Sequence, residues 1–305
     1  MTATAPVSKL SGPAAGQTVA SAATPGVPAV IRGSTQLYPV LGSPIAQVKA
    51  PMLYNALFAN TGFDAACVPI EIAPEDYATV MTALFRAKNI RGAFVTIPHK
   101  AATVALLDDC SEAVRIAGAC NAVVRRADGS LYGDLFDGVG FVRAAERTGF
   151  RVAGSRCLVV GAGGAGAAIA AALATAGAAT VRLFDTRGSH AAELAARLQA
   201  HFARSRIEAG PAQLAGFDLV VNATPLGMEP DDPLPIDVDQ ITSAMTIAEI
   251  VMKREITPLI AAARARGCRT VLGKEMLREQ MPLYLEFLGL PAVPVDDAGP
   301  RARIF

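Results

Sequence analysis

Short apolar runs and amphipathic stretches alternate along most of the chain. Residues 35–41 read as a first strand, ended by Gly42 and Pro44. A helix is expected over residues 51–60, with Pro51 in the first turn, where a missing N–H costs no hydrogen bond. Residues 66–72 form the next expected strand. Tyr77, Val80, Met81 and Leu84 then recur at helical spacing and predict an amphipathic helix lying on a sheet. Residues 92–97 predict a third strand, stopped by Pro98. The Asp128–Gly129 turn predicts a strand pair, residues 122–125 before it and 131–132 after it.

Beyond Asp137 the rhythm becomes strand, helix, strand, repeated several times. Residues 157–160, 181–185, 218–222, 246–251 and 269–272 are the expected strands. Such alternation predicts a parallel sheet covered by helices on both faces. A last helix begins near Lys274 and ends before Gly289-Leu290-Pro291. The expected fold is therefore α/β, an N-terminal α/β substrate domain followed by a Rossmann-type doubly wound parallel sheet. Residues 34–137 would form the first domain, completed by 274–305, and residues 138–273 the second. Residues 1–33, rich in Ala, Pro, Gly, Thr and Ser, predict a flexible tail without the apolar stretch of a signal peptide.

Composition narrows the function classes. The chain of 305 residues carries 28 Lys and Arg against 27 Asp and Glu, a net charge of +1. That balance supplies no basic field for nucleic acid or an anionic membrane. Five scattered cysteines without CxxC spacing, and three dispersed histidines, predict free thiols, no metal site and a reducing, cytoplasmic setting. Residues 157–181 carry no charge and are long enough to span a bilayer. Their Gly and Ala content and their central glycine turn instead predict a buried strand followed by a closely packed helix.

That turn, Gly161-Ala162-Gly163-Gly164-Ala165-Gly166, contains G-x-G-x-x-G between an expected strand and helix. Gly161 permits the tight turn, Gly163 lets backbone approach a pyrophosphate, and Gly166 allows close helix–strand packing. The helix start adds unpaired N–H groups and a positive dipole end. Asp185 follows Gly166 at about the 20-residue spacing of an acid that binds the adenosine ribose, which favours NAD. Thr186 and Arg187 follow it, and Arg187 would neutralise the extra phosphate of NADP, so NADP stays possible.

Six ordered segments resemble the shikimate and quinate dehydrogenase family, from about Tyr38 to Leu288. Gly42-Ser43-Pro44-Ile45-Ala46-Gln47-Val48-Lys49-Ala50-Pro51 is similar to that family's substrate-side loop, and Phe94-Val95-Thr96-Ile97-Pro98-His99-Lys100 to the turn with its catalytic lysine. Gly118-Ala119-Cys120-Asn121-Ala122 resembles its substrate-binding asparagine segment, and Gly133-Asp134-Leu135-Phe136-Asp137-Gly138-Val139-Gly140 the segment with its catalytic aspartate. Asn222-Ala223-Thr224-Pro225-Leu226-Gly227-Met228 and Gly273-Lys274-Glu275-Met276-Leu277 resemble cofactor-side and closing elements. The resemblance implies a cleft between two domains, reversible hydride transfer between a ring alcohol and a nicotinamide, and a monomer or homodimer. It implies Lys100 and Asp137 as the catalytic pair, and Thr224, Pro225, Leu226, Val251 and Gly273 beside the cofactor. Independently, alcohol oxidation needs a group to take the hydroxyl proton, and a lysine oriented by a carboxylate suits that task.

The substrate side departs from the family pattern. Val48 and Ala50 stand where two carboxylate-binding serines are usual, Phe94 replaces an asparagine, Phe136 a threonine and Met252 a tyrosine. Thr96, Asn121 and Gln280 remain as partners for ring hydroxyls. His99 also departs and is expected to be a surface or packing residue. Three readings follow: a dehydrogenase for a less polar or carboxylate-free analogue; the standard activity, with the carboxylate held by Gln47, Lys49 or Tyr54; or a nucleotide-binding sensor with little turnover.

Overall fold

Within residues 31–290, which the computed structural model describes, the alternating apolar runs become strands of two sheets. The first contains β1 (Gln36–Gly42), β2 (Ala65–Glu71), β3 (Gly92–Val95), β4 (Asp109–Cys110), β5 (Ala122–Arg125) and β6 (Leu131–Asp134), in the order β2-β1-β3-β5-β6-β4. β1 runs parallel to β2 and β3, whereas β5 runs antiparallel to β3 and β6. Helices α1 (Ala50–Thr61), α2 (Tyr77–Leu84), α3 (Lys100–Val104) and α4 (Glu112–Ala117) connect these strands. Side chains alternate between faces as the strand period requires. Tyr38, Val40 and Phe94 pack into one core with Tyr54 and Phe58 of α1, while Leu41, Ala93 and Val95 pack into another.

The second half begins with α5 (Asp137–Arg147) and continues through β7 (Arg156–Val160), α6 (Gly164–Thr175), β8 (Thr180–Phe184), α7 (Gly188–His201), β9 (Arg206–Ala209), β10 (Leu219–Asn222), β11 (Thr246–Glu249), α8 (Pro258–Ala265), β12 (Arg269–Val271) and α9 (Gly273–Phe287). Its sheet is parallel throughout, in the order β12-β11-β10-β7-β8-β9. This is the doubly wound arrangement expected from the sequence, and its strand order reverses at β7. Ligands bind such sheets in the crevice at the carboxyl ends of the strands beside that point. The uncharged stretch becomes β7, α6 and the start of β8, and α6 is buried along nearly its whole length. Among the described residues no helix is long and apolar enough to cross a membrane.

Several boundaries shift for local reasons. β3 stops at Val95, short of residue 97, because the chain turns at Ile97–Pro98 and proline has no N–H for a ladder. Asp185 lies one residue past β8, since its carboxylate accepts bonds from turn N–H groups at Ala162 and Arg187. β11 ends at Glu249 and β12 at Val271, each before the expected end. β4, α4 and β9 were not expected. β4 has two residues and β9 is an edge strand of mixed polarity, so neither shows a period. α4 did carry a signal: the Ser111 hydroxyl accepts from the N–H of Val114, an N-cap contact. The expected tail lies outside the described residues, apart from residues 31–33.

α5 joins the two halves and has a neighbour on each side. A β-carbon added at Gly138 would stand 2.1 Å from the Ala168 carbonyl oxygen of α6. One added at Gly140 would stand 2.5 Å from Gln280 Cγ and 2.9 Å from the Met276 carbonyl oxygen of α9. Two glycines in the first turn of the helix thus let α5 touch α6 and α9 at backbone distance. Gly138→Ala should therefore destabilise the chain by about 1–3 kcal/mol, although alanine is the better helix former. The check is a lower urea midpoint at unchanged slope. Gly188→Ala, whose added carbon would meet nothing within 4 Å, is the control and should lose nothing.

Candidate active site

Lys100 is the first residue of α3, directly after the Ile97–Pro98 turn that closes β3. Its carbonyl accepts from the N–H of Cys120 at 2.8 Å, which ties the start of α3 to the segment leading into β5. Asp137 is the first residue of α5. Phe136 occupies the cap position before it and makes no side-chain cap bond. The two side chains meet in an ion pair in which Lys100 Nζ donates to Asp137 Oδ2. Both are largely shielded from water, at 12% and 5% side-chain exposure. The second carboxylate oxygen, Oδ1, accepts from Gln280 Nε2 of α9 at 3.2 Å. Three elements distant in sequence therefore converge on one carboxylate.

Asn121 is fixed beside this pair. Its Oδ1 accepts from the Phe136 N–H at 3.0 Å, and its carbonyl accepts from the Tyr284 hydroxyl at 3.1 Å. Only the amide oxygen can accept, so the first bond sets which way the amide faces. Asn121 Nδ2 has no partner among the described residues.

These groups open on a cavity of about 660 Å³ between the two sheets. Val48, Ala50, Thr96, Asn121 and Gln280 all line it, together with Lys100 and Asp137. Phe94 and Met252 line it too. Phe136 does not: it packs edge-on against Tyr284 and Phe287, with centroids 5.0 and 5.4 Å apart. Its effect on the cavity passes through Tyr284, a lining residue that sequence reasoning missed. His99 faces away from the cavity, buried and stacked on Tyr77 at 4.0 Å with ring planes 7° apart. Its Nε2 lies 2.8 Å from the Ile72 carbonyl oxygen. Burial lowers the pKa of this imidazole, opposed by the Ile72 contact. It is a packing residue under α3.

At the opposite end lie Gly161, Gly163, Gly164, Ala165, Asp185, Thr186 and Arg187. Gly161 holds φ +105°, a conformation glycine adopts freely. A β-carbon at Gly163 would meet nothing within 4 Å, so backbone is open to a phosphate there. One at Gly166 would stand 1.9 Å from the Gly161 carbonyl oxygen, so only glycine fits. These residues fit a dinucleotide, with the amides at the start of α6 available to its pyrophosphate. Asp185 Oδ2 accepts from Ala162 N–H at 2.9 Å, and Oδ1 from Arg187 N–H at 2.9 Å and Nε at 3.2 Å. Burial pushes its pKa upward, but these bonds and the guanidinium prevail and hold it below the ordinary value. Thr224, Pro225, Leu226 and Val251 line the same end.

Three expected cofactor residues stand behind the wall. Ala162 spends its N–H on Asp185, and Gly166 is consumed by packing on Gly161. Gly273 lies against the carbonyl oxygens of Ile250 and Val251, 2.7 Å from where a β-carbon would be, and borders a smaller neighbouring cavity.

The 222–228 loop closes on itself. Thr224 Oγ1 donates to Asn222 Oδ1 at 2.6 Å, and Asn222 Nδ2 donates to the Leu226 carbonyl at 2.9 Å. Asn222 pairs in register with Glu249 at the end of β11, a buried acid that sequence reasoning passed over. Its signal was one charged residue ending an apolar strand.

Comparison with known proteins agrees with this geometry. Residues 40–123 match the family described as the shikimate dehydrogenase substrate binding domain, and residues 149–227 the family described as putative NAD(P)-binding. A shikimate dehydrogenase (NADP(+)) from Acidiphilium cryptum is 40% identical over 276 residues, covering 90% of this chain and 97% of that protein. The crystal structure of shikimate dehydrogenase from Aquifex aeolicus superposes with a TM-score of 0.81 at 28% identity, covering 90% of this chain and 100% of the other. Quinate dehydrogenase from Corynebacterium glutamicum in complex with NAD gives 0.78 at 29% identity, covering 87% and 97%.

Glu249 provides a pH test of the site's frame. Burial raises its pKa above the ordinary value, against lowering bonds from Thr257 and Asn222. An acid with a raised folded pKa binds more protons folded than unfolded, so stability falls as pH rises from about 4.5 through the folded pKa. Glu249→Gln should remove that loss. The stability difference, variant minus parent, should grow more positive as pH rises above about 4.5 in urea titrations. A constant difference would show that the carboxyl titrates normally.

Proposed function

The chain belongs to the shikimate dehydrogenase family and is an NAD(P)-dependent oxidoreductase acting on CH–OH groups; within that family we propose that it interconverts a ring alcohol and its ketone, with Lys100 and Asp137 moving the proton. The observation that carries this reading is the shielded Lys100–Asp137 ion pair on the wall of a cavity that also contains the glycine turn. A dinucleotide bound at the glycine turn supplies the hydride acceptor for oxidation and the donor for reduction. The chain supplies the rest. In oxidation the neutral amine of Lys100 takes the substrate hydroxyl proton and becomes the ammonium that pairs with Asp137, and in reduction that ammonium returns the proton to the alkoxide oxygen and reverts to the amine. Asp137 Oδ2 accepts from Nζ and aims it, while Gln280 keeps Asp137 from rotating. A β-carbon at Gly164 would stand 3.2 Å from Lys100 Cβ, so the start of α6 and the proton-transfer residue are immediate neighbours.

In this reading residues 34–137, joined by the last helix, form the catalytic half, and residues 138–273 the dinucleotide-binding half. The substrate is shikimate, quinate or an analogue of such a ring, and the setting is the cytoplasm, in keeping with five free cysteines. NAD is the favoured cofactor, because the ionised carboxylate of Asp185 suits ribose hydroxyls and repels a phosphate. Arg187, already paired to Asp185, leaves NADP as a second cofactor. A sensor without turnover is set aside, since such a protein has no need of a desolvated acid–base pair.

Lys100→Ala should lower kcat by about 10²- to 10⁴-fold and leave NADH affinity nearly unchanged. Stopped-flow absorbance and NADH fluorescence, read in a chain without tryptophan, separate the two, and a full rate would remove Lys100 from the proton path. Asp185→Ala should weaken NAD by about tenfold relative to NADP, the size of a lost charge-assisted bond. An unmoved ratio of the two dissociation constants would take Asp185 out of the ribose site.

A further inference from the structure

Next to the proton-transfer pair the cavity wall is aromatic, and it holds two buried donors left unpaired among the described residues. Tyr54 lines the cavity at 1% exposure, and its hydroxyl has no hydrogen-bond partner among the described residues. Asn121 Nδ2 is the second. Buried polar atoms are normally satisfied, so two orphans on one cavity wall mark where a ligand's polar atoms belong. Phe94 sits between Tyr54 and Tyr284, with centroids 4.6 and 4.8 Å away, and presents an aromatic surface where the family resemblance led one to expect an amide. Val48 and Ala50 continue that surface without a donor on either side chain.

The cations on the cavity are almost all committed. Lys100 is paired with Asp137, Arg187 with Asp185 and Lys253 with Glu229. Gln47 donates its amide to the Pro44 carbonyl at 2.7 Å. Lys49 makes no ion pair among the described residues, but it is only partly buried and borders the neighbouring small cavity as well. A carboxylate brought against Phe94, Val48 and Ala50 would lose water without gaining a buried cation, and burial of an unpaired charge is strongly disfavoured.

We propose that the substrate is an uncharged hydroxylated ring without a carboxylate, its apolar face on the Tyr54–Phe94–Tyr284 wall and its oxygens bonded to the Tyr54 hydroxyl and Asn121 Nδ2. This inference rests on the dehydrogenase reading and makes Tyr54 a specificity-determining residue. Burial holds the Tyr54 phenol well above its ordinary pKa, so it remains a neutral donor and acceptor. A neutral ring exchanges bonds with it and asks for no counter-ion.

The test compares shikimate with its primary amide, which keeps the ring and the shape but not the charge. Steady-state oxidation with NAD gives kcat and KM, and calorimetry on the NADH complex gives affinity without turnover. The amide should be favoured at least about tenfold in kcat/KM and in affinity. Tyr54→Phe, which keeps the aromatic ring, should raise KM for the amide about tenfold with kcat nearly intact. Equal or better use of the free acid, loss of acid turnover in Lys49→Ala, or an unaltered KM in Tyr54→Phe would overturn the inference and leave the dehydrogenase reading standing. NADH binding with no turnover of either ring would overturn both.

Discussion

A carboxylate buried at the start of α5 has to be partnered, and the cleft is organised around meeting that demand. Asp137 receives one bond from Lys100 of α3 and another from Gln280 of α9. Removing one member of a buried pair leaves the other charge uncompensated, at a cost of about 3–5 kcal/mol. The pair is therefore a structural tie whatever chemistry it performs, because it binds the turn after β3 to both helices between the sheets. Its position follows from the sequence just after it. Gly138 and Gly140 let α5 approach α6 and α9 at backbone distance, so Asp137 cannot shift without disturbing both contacts.

The same packing sets the distance between the two kinds of chemistry. α6 starts at the glycine turn, and Gly164 lies against Lys100 and Ala119. A larger residue at Gly164 would push the dinucleotide-binding turn from the lysine, and one at Gly138 would push α5 from α6. Glycines in this chain thus do two jobs. Gly161 supplies a left-handed turn, whereas Gly138, Gly140 and Gly166 supply close approach. Hydride and proton transfer need their groups held within a fraction of an ångström, and backbone-to-backbone contact is the stiffest way a helix pair can do so.

The strands, most helices and the glycine turn were legible because they depend on local periodicity and backbone conformation. Lys100, Asp137 and Asn121 were legible because each sits in a distinctive short segment. What stayed hidden was decided by contacts across the chain. Tyr284 reads as an ordinary apolar position of α9, yet it lines the cavity and bonds to Asn121, 163 residues away. Glu249 reads as the end of a strand, yet it is buried and stands in register with Asn222, where the 222–228 loop begins. The reverse error has the same cause. Phe136 and Gly273 look like wall residues from neighbours in sequence, but one packs behind Tyr284 and the other beneath the Ile250–Val251 backbone. Periodicity says which face of an element is buried, and only the tertiary fold says what shares it.

Three buried side-chain atoms lack a partner in the described residues, and they differ in meaning. Glu249 Oε2 belongs to a carboxyl outside the lining of the larger cavity, near Thr257 and Asn222, whose polar groups lower its pKa against the effect of burial. The Tyr54 hydroxyl has no such contact. It stands among aromatic rings that would pack as well around phenylalanine, and leaving a buried hydroxyl unsatisfied costs about 1–3 kcal/mol. Asn121 differs again, since its oxygen fixes Phe136 while its amide nitrogen is left over. Packing alone gives no reason for either donor. A cavity wall that is apolar around them, and shares its lining with Lys100 and Asp137, gives both the same reason under the proposed uncharged ring, whose oxygens would complete them.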